Sequence, residues 1–461
     1  MARTRRGGGL RGIVLLVALA ALAWVGISAL RAGRAPRLTV TPKIQAIGRS
    51  TPFEVRAESP GRGLTHLTVV VRQGDKSQTV LDESWAAAPA AQPWAKGHEV
   101  HEATVPIGRE SVAWLKQGNA TVRVQADTAG SWLRKPDPAT FEIELPVRLA
   151  PPSVGVLSTQ TYVRQGGCEA VVYRVGEGAE RHGVQAGDWF FPGYPLPGGQ
   201  PGEQFALFAV PYDLGDATNV RLVAADVVGN TAQVAFIDKF FPEPPTSDVI
   251  EVSDAFLEKV VPPIMSQTPE LEDRGSLLEN YLQINRDLRR ANAKELVEIA
   301  ARSKPEFLWS RPFAPMINAA VMAAFADRRT YRYQGREIDR QDHLGFDLAS
   351  TQQDSIPSAN DGVVVLARYL GIYGNTVIVD HGYGLMSLYG HLSSIAVSEG
   401  DRVSRGQTLG RTGVTGLAVG DHLHFTMLLH GLPVSPREWW DGHWIEDRLE
   451  RKLGAALPFS S

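Results

Sequence analysis

A run of nineteen residues without a charged side chain lies near the start of the sequence, at residues 12–30 (GIVLLVALAALAWVGISAL). A helix of this length spans roughly 28 Å at ~1.5 Å per residue, which is close to the thickness of the hydrocarbon core of a bilayer. The run therefore predicts either an uncleaved membrane anchor or a signal peptide that is cut after a small-residue site such as Ala21-Leu22-Ala23. We favour the anchor because the apolar run continues beyond that site to Leu30.

The basic residues that flank this run indicate its orientation. Residues 1–11 carry four arginines and residues 31–37 carry three, and the more basic flank of a span stays in the cytoplasm. We therefore expect a cytoplasmic N-terminus over residues 1–11 and a single-pass anchor over residues 12–30 in the cytoplasmic (inner) membrane. The rest of the chain is expected on the extracytoplasmic side, in the periplasm or at the cell wall.

The charge balance and the single cysteine exclude several classes of protein. The chain has 47 Lys and Arg against 50 Asp and Glu, a net charge of −3. Nucleic acid is therefore not expected as a partner, because phosphate binding relies on an excess of positive charge. Cys168 is the only cysteine, so that an intrachain disulfide and a Cys₄ zinc site are impossible. Any metal must be held by histidine and carboxylate.

Two stretches show the alternation that is typical of strands. Residues 37–149 and 155–238 contain short runs in which Val and Thr alternate with polar residues, broken by Gly and Pro, and a pair of prolines separates the two stretches. We predict a β-sandwich-like (Ig-like) domain in each. Gly229-Asn230 in the second stretch is typical of a hairpin turn.

The apolar period then changes to that of a helix. Leu277, Tyr281 and Ile284 have helical spacing, and we predict a helical hairpin within residues 252–303. Residues 311–445 return to strands and Gly-rich turns and contain seven of the eleven histidines. The predicted fold is therefore mainly β and multidomain, with an N-terminal transmembrane helix, two β-sandwich-like domains, a helical linker segment and a β-rich C-terminal domain.

Three short strings in the last stretch combine histidine with aspartate: HLGFD at 343–347, YGHLS at 389–393 and DHLHF at 421–425. In a strand, His422 and His424 point to the same face about 6.6 Å apart, so one can bind a metal ion while the other carries protons. One imidazole from each of two strings and one carboxylate make a three-ligand site. Three protein ligands leave a fourth tetrahedral position open, as in catalytic zinc sites.

These strings occur in the order and context of a known family. Residues 325–437 resemble the lysostaphin/LytM family of zinc metallopeptidases, which cut peptide cross-links in bacterial peptidoglycan. The resemblance rests on four blocks, HLGFDLAS at 343–350, IPSANDGVVV at 356–365, GNTVIVDHGYGLMSLYGHLSSIAVSEGDRVSRGQTLGRTGVTG at 374–416 and GDHLHF at 420–425. It implies a compact, strand-rich LytM-type peptidase fold with a single groove.

The resemblance also implies roles for five residues. His343, Asp347 and His424 would bind one zinc ion, and His391 and His422 would transfer protons beside it. Zinc lowers the pKa of a bound water from ~15.7 toward ~7, and histidine, with an ordinary pKa of ~6.5, suits a general base. We assign His422 as the base and His391 as the group that stabilises the oxyanion or protonates the leaving amine, although the two roles can be exchanged.

One position upstream departs from the family. A Phe-Gly pair usually precedes a basic residue there, whereas Phe325 is followed by Ala326 in this chain. The departure bears on the local turn and not on the metal site, which we expect to be kept.

The expected function is a membrane-anchored zinc endopeptidase that hydrolyses peptide cross-links of peptidoglycan through a zinc-bound water. The alternative is a non-catalytic LytM-like factor that binds the wall or activates an amidase. Such relatives generally lack some of the ligands, all of which are present here. A regulatory protein partner is left open, and residues 252–303 are a candidate cover for the groove.

Two other interpretations fail on the residues themselves. A biotinyl-type or lipoyl-type carrier domain needs an attachment lysine, and no lysine occurs between Lys304 and Lys452. The string HEVH at 98–101 resembles a zincin motif, but its second histidine comes one residue too early for HExxH.

Overall fold

The computed structural model describes residues 8–41 and 45–459 and is mainly β, as predicted. The chain divides into two compact units: unit 1 comprises residues 1–152 and 225–231, and unit 2 comprises residues 153–224 and 232–461. Most of the predicted cytoplasmic segment lies outside the described residues.

The predicted membrane anchor is a helix, α1, over Gly8–Leu30. From Arg11 onward it is long and apolar enough to cross a bilayer. Its large apolar side chains, such as those of Leu16 and Leu22, are exposed. Exposure of this kind distinguishes α1 from the core helix of a soluble domain, which buries its apolar face.

Unit 1 is built from two antiparallel sheets. Its strands are β1 (Arg37–Thr41), β2 (Thr51–Glu58), β3 (Leu64–Gln73), β4 (Lys76–Ser84), β5 (Val100–Ile107), β6 (Gly118–Thr128) and β7 (Ala139–Val147). The sheets have the orders β1-β2-β5 and β4-β3-β6-β7. Val55 and Ile107 of the first sheet share one buried cluster with Val69 and Val122 of the second. The sheets therefore pack face to face as a sandwich, because alternate residues of each strand point to the same core.

Ten further strands follow in the second β-rich stretch. They are β8 (Val154–Val156), β9 (Tyr162–Arg164), β10 (Cys168–Val175), β11 (Ala179–Ala186), β12 (Trp189–Pro192), β13 (Tyr194–Pro195), β14 (Glu203–Ala209), β15 (Val220–Asp226), β16 (Thr231–Val234) and β17 (Lys239–Phe241). They form two four-stranded sheets, β13-β14-β10-β8 and β12-β11-β15-β16, and the parallel pair β17-β9. The predicted hairpin turn is present between β15 and β16, where Gly229 has φ 85°.

A helical segment follows the next strand, β18 (Ser247–Val252). It consists of α2 (Asp254–Gln267), α3 (Leu277–Gln283), a π-helical turn (Ile284–Leu288) and α4 (Arg289–Ala300). Ile264 of α2 and Tyr281 of α3 lie in one buried cluster with Tyr331 and Ile372 of the following domain. The predicted helical segment is therefore packed against the C-terminal domain.

The C-terminal domain is centred on one large, mostly antiparallel sheet with the order β19-β22-β30-β26-β25-β24-β28, to which β31 adds beside β30. Its strands are β19 (Ala320–Ala323), β20 (Asp327–Tyr333), β21 (Arg336–His343), β22 (Phe346–Ala349), β23 (Ser355–Pro357), β24 (Gly362–Tyr369), β25 (Asn375–Gly382), β26 (Leu385–Leu392), β27 (Ser394–Ile395), β28 (Arg402–Val403), β29 (Thr408–Arg411), β30 (Leu423–Leu429) and β31 (Leu432–Val434). Two smaller sheets, β18-β20-β21 and β23-β29-β27, flank it. The short helices α5 (Arg437–Trp440), α6 (Gly442–Trp444) and α7 (Arg451–Leu453) end the described chain.

Candidate metal centre and active site

The register of three neighbouring strands brings the predicted site residues together. β30 lies between β22 and β26, with Asp347 opposite His424 and Gly390 also opposite His424. Side chains directly opposite one another on antiparallel strands lie about 4.5–5.5 Å apart at Cβ. Asp347 and His424 are thereby brought close together, and His391 is the next residue along β26. His343 ends β21 and is joined to β22 by a two-residue turn.

Three of these side chains converge on one point. The Nε2 atom of His343 lies 2.9 Å from Oδ1 of Asp347 and 3.2 Å from Nδ1 of His424. The Nδ1 atom of His424 is also 2.9 Å from Oδ1 of Asp347. One potential ligand atom from each residue thus lies within 4.8 Å of the other two. Ligands about 2.0 Å from a tetrahedral zinc ion are roughly 3.3 Å apart, so this donor set fits one such ion.

The other ring nitrogens of the two histidines are held by the protein. His343 donates from Nδ1 to the carbonyl oxygen of Ala324 at 2.9 Å, and Nε2 of His424 lies 3.1 Å from the hydroxyl oxygen of Thr426. Such outer bonds fix the tautomer and the ring orientation of a metal ligand. The sequence predicted the two imidazoles but not these partners.

The charge states of this group suit a metal site. Burial raises the pKa of Asp347, but hydrogen bonds from His343, His422 and His424 outweigh burial and hold the pKa well below its usual range. Burial lowers the pKa of His424 to about 4, although the neighbouring carboxylate of Asp347 opposes this. At neutral pH the aspartate is therefore charged and His424 is neutral, and both forms can bind a cation.

The two predicted proton carriers lie beside this group. The ring centroids of His391 and His422 are 4.8 Å apart, and those of His391 and His424 are 5.6 Å apart. Each carrier donates from Nδ1 to a backbone carbonyl at 2.8 Å, His391 to Thr415 and His422 to Gly420. In both rings Nε2 therefore carries the lone pair and can accept a proton.

The two carriers differ in basicity. Burial lowers the pKa of His391 well below its usual range, and the neighbouring His422 and His424 add to this. Burial also lowers the pKa of His422, but the carboxylate of Asp347, 3.5 Å from Nε2, outweighs burial and raises it. His422 therefore holds a proton more readily than His391.

The backbone at His391 is in the left-handed region, with φ 66°. A bulky residue rarely adopts this conformation, and such outliers occur at functional sites where the surroundings hold them in place. Here the hydrogen bond from the ring to Thr415 holds His391 beside His422 and His424.

Sequence analysis missed Arg329. Its guanidinium donates from Nη2 to Oδ2 of Asp347 at 3.1 Å, while Oδ1 of Asp347 faces the two histidines. Arg329 is in β20, and its side chain is only 19% exposed. The one feature of the sequence that could have indicated Arg329 is its position shortly after Phe325, where the family has a basic residue.

The helical segment contacts two loops beside the site, the loop that carries Gly420 and the loop between β24 and β25. Lys259 of α2 donates to the carbonyl oxygen of Val419 at 2.7 Å, and Asn292 of α4 accepts from the backbone N–H of Ile372 at 3.0 Å. Tyr373, the next residue, places its ring 5.5 Å from that of His424. The segment is therefore fastened to the rim of the site.

The fold and the site together define a β-rich domain with a candidate three-ligand metal site, and comparison with known proteins gives its family. Residues 341–436 match Peptidase family M23. This part of the chain is therefore an M23 domain of the LytM type. The match is confined to about a fifth of the chain, and the chain spans about a fifth of the length of the curated relatives it matches.

Two relatives and one solved structure illustrate the similarity. Peptidoglycan DD-endopeptidase ShyA of Vibrio cholerae is 42% identical over 93 residues, which are 20% of this chain and 22% of ShyA. Murein hydrolase activator EnvC of Escherichia coli is 36% identical over 95 residues, 21% of this chain and 23% of EnvC. A structure from Pseudomonas aeruginosa described as a peptidase M23 is 21% identical and covers 60% of this chain and 94% of its own, with a TM-score of 0.36.

Proposed function

We propose that this protein is a membrane-anchored zinc endopeptidase that hydrolyses the peptide cross-links of bacterial peptidoglycan. The observation that carries the proposal is the convergence of His343, Asp347 and His424 on one point, with His391 and His422 beside them. The similarity to ShyA, a peptidoglycan DD-endopeptidase, supports the substrate class.

The ion would be held by Nε2 of His343, Oδ1 of Asp347 and Nδ1 of His424. When bound, zinc supplies a Lewis acid for the scissile carbonyl and lowers the pKa of a water molecule. Arg329 keeps Oδ2 of Asp347 occupied, so that Oδ1 is directed at the two imidazoles.

The protein itself moves the proton. Hydrolysis of a peptide bond requires that a proton leave the attacking water and reach the leaving amine nitrogen. We assign His422 as the base that takes this proton at Nε2, because the carboxylate of Asp347 stabilises the imidazolium. We assign His391 to carry this proton onward: its Nε2 accepts the proton from His422, whose ring centroid is 4.8 Å away, and gives it readily to the leaving amine because burial disfavours the protonated ring. While it holds that proton, Nε2 of His391 can also donate to the oxyanion.

The second candidate is a non-catalytic factor that activates another hydrolase, which the similarity to EnvC favours. The complete donor set and the two histidines beside it favour the enzyme, since a factor that only binds needs neither.

The proposal is tested on the full chain with purified peptidoglycan. Zinc content is measured by elemental analysis, and released fragments are identified by mass spectrometry with and without a chelator. We expect His424→Ala to lose both zinc and hydrolysis, and His391→Ala to keep zinc and lose hydrolysis. His443→Ala is the matched control, because His443 is exposed on α6.

Two outcomes would contradict the proposal. One is a zinc-free His424→Ala protein with normal hydrolysis, and the other is a zinc-replete wild type that releases nothing from any peptidoglycan. The second outcome, combined with stimulation of a separate amidase, would establish the activator instead.

We also propose that α1 is a single-pass anchor in the cytoplasmic membrane and that the M23 domain lies on the extracytoplasmic side. The exposed apolar surface of α1 supports this, and a peptidoglycan substrate requires it. Protease added outside spheroplasts should digest the M23 domain, and alkaline washing should leave α1 in the membrane fraction.

A further inference from the structure

Two loops of unit 1 contact the last turns of α1. The indole of Trp24 donates to the carbonyl oxygen of Ala91 at 2.8 Å, and the backbone N–H of Leu133 donates to the carbonyl oxygen of Ala29 at 3.3 Å. The first contact comes from the loop between β4 and β5, residues 85–99. The second comes from the loop between β6 and β7, residues 129–138. We call these two segments the interfacial loops.

Arg31 fastens the first interfacial loop to the end of α1. Its guanidinium donates to the carbonyl oxygens of Pro89 at 3.0 Å, of Ala95 at 2.5 Å and of Gln92. Three backbone acceptors on one guanidinium define a single loop position, because the donors of arginine lie in a rigid plane. The loop is therefore held against the helix.

The same loops expose three large apolar side chains. Trp132 is 89% exposed, Trp94 is 77% exposed and Leu133 is 71% exposed. Single exposed hydrophobic residues are normal on a protein surface. These three side chains are not scattered, because they lie on two loops that both contact a candidate membrane span. Tryptophan, moreover, is enriched where a membrane meets water.

The depth of the loops matches the interface of a bilayer. Trp24 precedes the end of α1 at Leu30 by six residues, which is about 9 Å along a helix. The first loop therefore reaches roughly 9 Å below the last turn of α1. Interfacial segments lie about 5–10 Å deep between head groups and acyl chains. Gln92 and Ala95, on either side of Trp94, are bonded by Arg31 at the end of α1, so the part of the loop that carries Trp94 is held where α1 enters the interface when α1 spans the bilayer.

The charge near the exposed residues is positive. Arg134 and Lys135 follow Leu133 directly and are exposed, and neither forms an ion pair within residues 8–41 and 45–459. Basic side chains at the membrane surface are attracted by anionic lipid head groups.

We propose that the interfacial loops bind the outer surface of the lipid bilayer, with Trp94, Trp132 and Leu133 inserted among the lipid head groups. The inference rests on the proposed membrane anchoring of α1. Its consequence is that the β-sandwich of unit 1 is attached to the bilayer at three places, α1 and both loops, and is held in one orientation.

The test uses the full chain in vesicles of phosphatidylglycerol and brominated phosphatidylcholine, because bromine quenches tryptophan emission on contact. The contribution of each tryptophan is obtained by subtracting the emission of its Trp→Phe variant from the emission of the wild type. We expect the emission of Trp94 and Trp132 to be lost with bromine near the glycerol end of the acyl chains, and to be largely kept with bromine at the methyl end.

Two further variants serve as controls. Trp24→Phe reports whether α1 is inserted, since Trp24 lies within the span. Trp114→Phe gives the emission of Trp114, a tryptophan of the same sandwich that we expect to remain unquenched because it lies far from the interfacial loops. Its indole donates to Gln78 at 3.1 Å, and Gln78 lies about 20 Å along β4 from the first interfacial loop, at ~3.3 Å per residue.

The outcomes separate the two proposals. If Trp24 is quenched while Trp94 and Trp132 emit as in water, the loops do not bind lipid and the inference is wrong, although the anchor stands. If Trp24 is not quenched either, the anchor fails and the inference fails with it. If Trp94 and Trp132 are not quenched in vesicles, their exposed surface would have to bind a protein partner instead of lipid, and the inference would be wrong.

Discussion

Two groups of histidine and carboxylate in this protein have similar composition and different geometry. In the M23 domain, one donor atom each from His343, Asp347 and His424 faces a common point; we call this group the ligand cluster. In unit 1, His101 contacts Glu83 through Nε2 at 2.9 Å and His98 through Nδ1 at 3.3 Å; this group, with Glu83 and His98, is the sandwich cluster.

The difference lies in the direction of the nitrogens. The two nitrogens of an imidazole point away from each other, so that a histidine with a neighbour at each nitrogen lies in the middle of a chain. His101 is in this position, and His98 is in addition stacked on Trp85 at 4.6 Å. Within residues 8–41 and 45–459, the ligand cluster is the one group of three donors that converges. Two imidazoles and a carboxylate therefore make a metal site only when strand register directs them to one point.

Removal of one member from each cluster should give the largest contrast. His343→Ala removes a ligand and leaves two, so the zinc content and the hydrolysis of peptidoglycan should both fall to background. His101→Ala should leave both unchanged. Elemental analysis and mass spectrometry of peptidoglycan fragments measure the effect, and equal zinc loss in the two variants would show that the clusters do not differ in this way.

His430 is a half-buried histidine outside both clusters, and it sharpens the comparison because burial acts on its ring without a neighbouring carboxylate. Burial lowers the pKa of His430 to about 4, and its Nε2 has no hydrogen-bond partner among the described residues. The unfolded chain then binds a proton between pH ~6.5 and ~4 that the folded chain does not, so the free energy of unfolding should decrease as pH falls through that window, by about 3 kcal/mol from this group.

His430→Phe should remove that part of the pH dependence, and above pH ~6.5 it should alter stability little. Urea unfolding of the metal-free protein at several pH values measures the slope. His443→Phe is the matched control, since His443 is exposed, and it should leave the slope as in the wild type. An unchanged slope in His430→Phe would mean that the unfolded and folded chains protonate this position alike.

Arg329 provides a smaller test of the ligand cluster. Arg329→Ala removes the hydrogen bond to Oδ2 of Asp347, and loss of such an outer partner typically lowers metal affinity about 10–100-fold. Arg328→Ala is the matched control, because Arg328 is the exposed neighbour on β20. Competition with a chromophoric chelator measures the affinity, and the assignment fails if both variants bind zinc equally well.

The smallest expected effect is at Ala326. This residue has φ 66° and donates from its backbone N–H to the carbonyl oxygen of His343 at 2.7 Å. Ala326→Gly relieves the left-handed strain and should raise the free energy of unfolding by up to about 1 kcal/mol. Ala324→Gly, at a neighbour without positive φ, should lower it by roughly 0.5–1 kcal/mol. Thermal unfolding measures the stability of the two variants. A loss of stability in both would contradict the backbone strain assigned to Ala326.

The departure at Ala326 shows how a local sequence difference was absorbed. The sequence left the local turn open and predicted an intact metal site. In the structure the alanine takes the left-handed conformation that glycine adopts without strain, and the ligand cluster converges nonetheless. A backbone conformation typical of glycine is therefore present here without a glycine.

Local patterns were sufficient for much of this protein. The uncharged run of α1 and the alternation in the strands of unit 1 are each set by residues within a few positions of one another. Such features follow from helix and strand periodicity alone. The five candidate site residues lie in short strings, and their roles were implied by the resemblance of those strings to the lysostaphin/LytM family.

Only the tertiary structure decided which of these groups meet. Arg329 reaches Asp347 across 18 positions, Asn292 supports Ile372 across 80, and Trp24 bonds Ala91 across 67. Contacts of this kind depend on strand order and loop path, which no local period encodes. The sequence by itself determined the anchor-like helix, the β-rich class and the candidate ligands. Strand register then decided that one histidine group converges and the other forms a chain, because an imidazole binds a shared ion only through the nitrogen that its backbone position directs inward.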